Sequence, residues 1–141
     1  MPQISLLAFD YGTQNIGVAS GQTLTHSCTE LPPLKARDGV PNWEDVEKLL
    51  GDWKPDLVLV GLPLNMDDSE SELSTRARKF GKRVHGRFGV QVVMVDERLS
   101  TFAAKEEAAE RGHKGNFGQA PIDSIAARLI LESWMRQRNS D

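Results

Sequence analysis

Ile4-Ser5-Leu6-Leu7-Ala8-Phe9-Asp10-Tyr11-Gly12-Thr13-Gln14-Asn15-Ile16-Gly17-Val18-Ala19-Ser20 decides the fold. The apolar run from Ile4 to Phe9 reads as a buried strand that ends on a carboxylate. Tyr11 to Asn15 is turn chemistry, with Gly12 and Asn15 both tolerant of positive φ. Ile16 to Ser20 returns as a second strand, so the two form a hairpin. A carboxylate at the end of a buried strand is costly unless it is paired, hydrated or bound to a cation. Asp10 is therefore the first residue to account for.

Downstream, a third strand is expected within residues 23–31, stopped by Pro32-Pro33. Asn42 can cap a helix to Trp53, with Val46, Leu49, Leu50 and Trp53 at helical spacing. Leu57-Val58-Leu59-Val60 is a continuous apolar run, as in a parallel strand buried on both faces. Ser69 and Glu72 form a capping box for a helix with Leu73, Ala77, Phe80 and Val84 on one face. Residues 91–95 read as the next strand, and Ser100 or Thr101 caps a helix to about Arg111. Gly112 to Pro121 is a glycine-rich loop, and Ile122 to Arg138 a final helix. The order β-β-β-α-β-α-β-α-α predicts an α/β chain. Its mixed five-stranded sheet would be a three-strand meander plus two parallel strands, flanked by helices, in a single domain over residues 1–141. Trp43, Trp53 and Trp134 are expected to pack in the core or between helices.

Composition narrows the class. At 39% hydrophobic and 26% charged, the chain is neither a disordered tail nor a membrane span. Met1-Pro2-Gln3-Ile4 lacks the basic start of a signal peptide. Cys28, the single cysteine, has no partner for an intramolecular disulfide, which points to a reducing, cytoplasmic setting. The net charge of −3 hides an asymmetry. Residues 1–72 carry 4 Lys and Arg against 12 Asp and Glu; residues 73–141 carry 13 against 8. That imbalance fits a side facing a polyanion or, equally, an inert dipolar surface.

Three acids stand where they can reach one edge of such a sheet: Asp10, Glu97 after Val92-Val93-Met94-Val95, and Asp123 at the start of the last helix. Each has a plainer explanation: an Asx turn, a pair with Arg98, or a favourable charge at a helix start. Together they resemble an all-oxygen site for Mg²⁺ or Mn²⁺, the apparatus of metal-assisted phosphodiester hydrolysis. Asp96 adjoins Glu97, and strand alternation sends the two to opposite faces without saying which face is which. Gly12 lets a backbone approach a phosphate, and Thr13 offers an N–H and a hydroxyl. Arg76, Lys79, Arg83 and Arg87 form a one-sign stripe on the second helix, either a phosphate-backbone track or a solvated face. Arg98 and Lys114 complete the expected substrate contacts. The three histidines are scattered without cysteine partners, which argues against zinc.

Four segments together resemble one family. They are Leu7-Ala8-Phe9-Asp10-Tyr11-Gly12-Thr13 with Ile16-Gly17-Val18-Ala19, Gly61-Leu62-Pro63-Leu64-Asn65-Met66-Asp67, Val95-Asp96-Glu97-Arg98-Leu99-Ser100-Thr101, and Asp123-Ser124-Ile125-Ala126-Ala127. In order and spacing they resemble the YqgF/RuvX family of bacterial pre-16S rRNA nucleases, earlier proposed as Holliday junction resolvases. The resemblance implies an RNase H-like fold and a metal-dependent nuclease whose acids align with Asp10, Glu97 and Asp123, favouring Glu97 over Asp96. It implies nucleic-acid substrates: structured RNA, the 5′ end of the small-subunit rRNA precursor above all, with precursor ribosomal particles as partners. Branched DNA is the rival substrate, and a non-catalytic, nucleic-acid-binding transcription partner the rival class. Two positions depart from the family pattern: Gln14-Asn15, where a basic residue is common, and Asp68, where a glycine is common.

Overall fold

The computed structural model describes residues 4–25, 27–62, 72–96 and 121–139, without the side chains at 96, 121–123, 138 and 139. The described residues form six strands: β1 (Ser5–Asp10), β2 (Asn15–Gln22), β3 (Ser27–Arg37), β4 (Val40–Pro41), β5 (Leu57–Leu62) and β6 (Val92–Asp96). Among the described residues three helices accompany them: α1 (Trp43–Trp53), α2 (Glu72–Phe88) and α3 (Pro121–Asn139). The sheet order is β4-β3-β2-β1-β5-β6. β1 runs antiparallel to β2 and parallel to β5, and β5 runs parallel to β6. The expected helix near residues 100–111 and the 112–121 loop lie outside the described residues, apart from Pro121, which opens α3.

Alternation along β1 divides the core in two. Leu7, Phe9 and Tyr11 pack with Val58, Val60, Ala77, Phe80 and Val84 under α1 and α2. Leu6 and Ala8 pack with Leu57, Leu59, Val95, Ile130 and Leu131 against α3. Phe80 anchors the first layer. It meets Phe9 edge-on with centroids 5.5 Å apart and stacks on Trp43 at 5.9 Å. Such ring pairs contribute about 0.5–1.5 kcal/mol each beyond the area they bury. α1 ends as its sequence suggests: Asn42 accepts from the Glu44 N–H at 3.0 Å, and Lys54 closes the helix in a left-handed conformation before Pro55. Among the described residues no helix is long and apolar enough to cross a membrane.

Three expectations are corrected. β3 does not stop at Pro32-Pro33. Val18 pairs with Leu31 and Ile16 with Leu34, so the two prolines stand opposite Gly17 alone. This β-bulge absorbs residues that lack an N–H without breaking a ladder bond. The sheet has six strands rather than five, because Asp38-Gly39 turns β3 back into the two-residue β4. Both turn residues have positive φ, 51° and 82°, as a tight Asp-Gly hairpin turn requires. Trp53 is 42% exposed rather than packed, unlike Trp134 on α3.

The Asp38-Gly39 turn clasps the loop that follows β1. The buried Tyr11 hydroxyl donates to the Gly39 carbonyl at 2.9 Å. Gly39 N–H donates to Thr13 O and Ala36 N–H to Gln14 O, both at 2.8 Å. Arg76 on α2 donates to the Asp38 carbonyl at 3.3 Å and pairs with its carboxylate at 3.1 Å. Burial raises the Tyr11 pKa from its ordinary value, an effect partly offset by Arg76 and Arg83. Burial also pushes the half-buried Cys28 thiol up to about 11, with Glu132 adding to it.

Two glycines should respond in opposite directions to alanine. In Gly39→Ala the new methyl would meet the Tyr11 hydroxyl, in a left-handed backbone. A loss of about 1–3 kcal/mol is expected, typical of strained backbone and overpacking. Gly51 sits in α1 with open space around it, so Gly51→Ala should gain about 0.5–1 kcal/mol. Urea denaturation of both variants checks the pair.

Stability should fall in alkali. Tyr11 and Cys28 have folded pKa values above their unfolded ones, so the fold prefers them protonated. The Cys28 contribution is complete below pH 9.0, the ordinary thiol value, and drains as pH rises through about 11; the Tyr11 contribution is complete below its ordinary value of 10.0 and drains above it. Urea midpoints from pH 8 to 11 should decline less in a Tyr11→Phe, Cys28→Ala double variant than in the parent.

Candidate active site

One edge of the sheet collects the ends of several elements. Across the sheet, Met94, Val60, Phe9, Val18 and Leu31 lie in one paired row. Asp10 lies one residue beyond that row on β1, opposite Gly17. β5 and β6 end two residues beyond it, with Leu62 opposite Asp96. β1, β5 and β6 are mutually parallel, so their carboxyl ends emerge on the same side.

The start of α3 reaches this edge too. The buried Ser124 hydroxyl donates to the Leu31 carbonyl at 2.5 Å, which ties the first turn of the helix to the same row. Arg128 pairs with Glu30 on β3 and with Glu132 on its own helix, both at 2.8 Å. At 15% exposure, Arg128 is too buried to lose either partner cheaply. At the other end of the helix, Leu131 packs beside Gly21, and Trp134 and Met135 join the cluster of Leu6. α3 therefore runs antiparallel to β1, with its N-terminus at the β1 carboxyl end.

The expected site residues fare differently. Asp10 ends β1, partly exposed, and shares the alternation of Leu6 and Ala8, the residues facing α3. Asp123 falls in the first turn of α3, immediately before Ser124, and its side chain is not among those described. Glu97, Arg98 and Lys114 lie outside the described residues. On β6, Val95 and Val93 pack on the α3 side, while Val92 and Met94 pack on the α2 side. Among the described residues no three His, Cys, Asp or Glu side chains gather as a metal centre.

Gly12 follows Asp10 for a reason other than positive φ. A Cβ there would stand 2.5 Å from the Asn15 carbonyl oxygen, so the requirement is close packing within the loop. Thr13 is exposed, with its carbonyl held by Gly39. The sequence reading overlooked Tyr11 and the Asp38-Gly39 turn that secures it. The Asp-Gly dipeptide after an extended segment was the available signal.

The basic stripe lies on the other face of the sheet. Arg87 lies over the Trp43 ring at 4.4 Å, and Arg76 is engaged by Asp38. Lys79 and Arg83 are exposed, and with Arg76 they line a cleft of about 260 Å³ whose other walls are Tyr11, Gly39 and Trp43.

Comparison with known proteins agrees with this architecture. The profile of the RuvX family, described as Holliday junction resolvase, matches residues 4–137. A relative from Saccharophagus degradans named "Putative pre-16S rRNA nuclease" is 59% identical over 137 residues, covering 97% of this chain and 96% of the relative. One of the same name from Aeromonas salmonicida is 54% identical, covering 98% and 99%. Among solved structures, RuvC of T. thermophilus bound to a Holliday junction substrate superposes with a TM-score of 0.58 at 17% identity, covering 96% of each chain. The fowlpox virus Holliday junction resolvase gives 0.56 at 19%, covering 94% of this chain and 99% of that one. The fold is RNase H-like, and the chain belongs to the RuvX family.

Proposed function

We propose that this protein is a metal-dependent nuclease that hydrolyses phosphodiester bonds at the 5′ end of precursor 16S rRNA. The observation that carries the reading is the shared edge: Asp10 at the end of β1, the end of β6, and the first turn of α3. The names of the curated relatives supply the substrate class. Asp10, Glu97 and Asp123 are the carboxylates assigned to the centre. The alternation of Val93 and Val95 toward α3 favours position 97 over position 96 as the partner of Asp10. These acids offer only hard oxygen donors, which suits Mg²⁺ or Mn²⁺. When bound, the cation supplies an activated water and stabilises the charge that develops on the phosphate. The residues of the chain hold and orient. Gly12 and Thr13 form the tight loop beside Asp10, where the Thr13 hydroxyl and backbone can meet a phosphate oxygen. Arg76, Lys79, Arg83, Arg87, Arg98 and Lys114 are assigned to the polyanion.

A second reading is junction resolution in DNA, favoured by the description of the family profile. It uses the same chemistry but needs two sites related by symmetry, hence a dimer. Matched precursor-rRNA and four-way DNA substrates, incubated with and without Mn²⁺, separate the two readings. Preferential cutting of the junction by a dimer would replace the first with the second.

Neutral variants Asp10→Asn, Glu97→Gln and Asp123→Asn should each lower the cleavage rate by about 10²–10⁴-fold, the equivalent of several kcal/mol of transition-state stabilisation. Stability without metal should hold or rise slightly, because each change removes like-charge repulsion. Single-turnover cleavage and urea denaturation measure the two effects. An inactive Asp96→Asn beside an active Glu97→Gln would reverse the assignment on β6. Undiminished cleavage by Asp10→Asn would remove the catalytic reading and leave a nucleic-acid-binding protein.

A further inference from the structure

The stripe on α2 is not uniform. Arg87 lies over the Trp43 ring, and Arg76 is engaged in part by Asp38. Lys79 and Arg83 have no ion-pair partner among the described residues, and both line the same cleft. That place is the cleft between α2 and the β3–β4 turn, with the buried Tyr11 and Phe80 rings among its walls. Three cations face one carboxylate there, the exposed Asp38, whose charge is already balanced by Arg76 at 3.1 Å. Residues 76, 79 and 83 follow i, i+3, i+7 spacing, which brings them onto one side of the helix. Two long cations lining one concave wall, with no ion-pair partner among the described residues, make a receptor for a compact anion.

We propose that Lys79 and Arg83, with Arg76 and the Gly39–Tyr11 wall, form a phosphate-binding subsite for a nucleic-acid strand, separate from the centre at Asp10. The separation follows from the sheet. Tyr11 faces the α1/α2 layer, whereas Asp10 shares the alternation that faces α3. The phosphate held in the cleft is therefore not the one being cut. It anchors the strand elsewhere, on the far side of the loop that carries Gly12 and Thr13. A strand joining the two places must bend around that loop. The subsite deepens the nuclease reading and rests on it for the identity of the ligand, though not for the binding itself.

The test uses the full chain without metal, labelled with ¹³C and ¹⁵N and observed by NMR. The probes are inorganic phosphate and a trinucleotide with either a 5′-phosphate or a 5′-hydroxyl. Tyr11 is the only tyrosine, so its ring signals report the cleft unambiguously, as does the Gly39 amide. Saturable shifts of both are expected, and Lys79→Gln/Arg83→Gln should weaken the affinity at least tenfold. Lys82→Gln, on the same helix but lining a different groove, should leave it unchanged. A preference for the 5′-phosphorylated trinucleotide would identify a strand end as the occupant; equal response would identify a backbone phosphodiester. Shifts that never saturate, or an undiminished affinity in the double variant, would overturn the subsite. Cleavage is scored separately. Saturable binding by a protein that cuts nothing would uphold the subsite and sink the nuclease proposal, and cutting without any response at Tyr11 or Gly39 would do the reverse.

Discussion

Everything in this molecule is placed relative to β1. It pairs on both sides, antiparallel to β2 and parallel to β5, and Leu6 to Phe9 are buried on both faces. A strand so enclosed has no freedom of register. A slip of one residue would exchange Leu7 and Phe9 for Leu6 and Ala8 and present the wrong volumes to each helix layer. Because β1 cannot slip, Asp10 emerges at a fixed height and on a fixed face. The parallel pairing through β5 to β6 and the Ser124 bond to Leu31 carry the same height across the sheet to the other elements of the edge.

Fixing β1 also divides the electrostatics. Asp10 shares the alternation that faces the α3 layer, while Lys79 and Arg83 of α2 line a cleft on the opposite layer. The Asp38-Gly39 turn stands between these regions. It holds Tyr11, Thr13 and Gln14 from one side and Arg76 from the other. The loop after Asp10 thus has its shape set by residues about 25 positions away in sequence rather than by its own composition.

Much of this was legible in the chain. The apolar runs of β1 and β5 and the spacing of Ala77, Phe80 and Val84 on α2 are direct readouts of burial, and the structure follows them. The errors share a cause. Proline is a strand breaker only where its missing N–H is needed, and at Pro32-Pro33 a bulge removes the need. Trp53 has helical spacing but is the last residue of α1, and its ring stays largely exposed. Asp38-Gly39 is a readable turn signal, an Asp-Gly dipeptide after an extended segment. At the site, sequence gave the parity of Val93 and Val95 but not their face, since a face exists only once Leu59 and α3 are in place. The stripe on α2 read as four equal cations because neither Trp43 nor Asp38 is near it in sequence.

The bulge has a consequence beyond shape. β4 covers only Ala36 and Arg37 at the tip of β3, and β4 has just two residues. The remaining outer edge of β3 therefore has no strand beside it among the described residues. An uncovered edge of that length is an invitation for another chain to add a strand and begin a fibril. Pro32 and Pro33 present no amide hydrogen there, Pro41 presents none on β4, and the irregular pairing kinks the line a newcomer would have to follow. The prolines that interrupt the strand's pattern in sequence are thereby its guard against self-assembly.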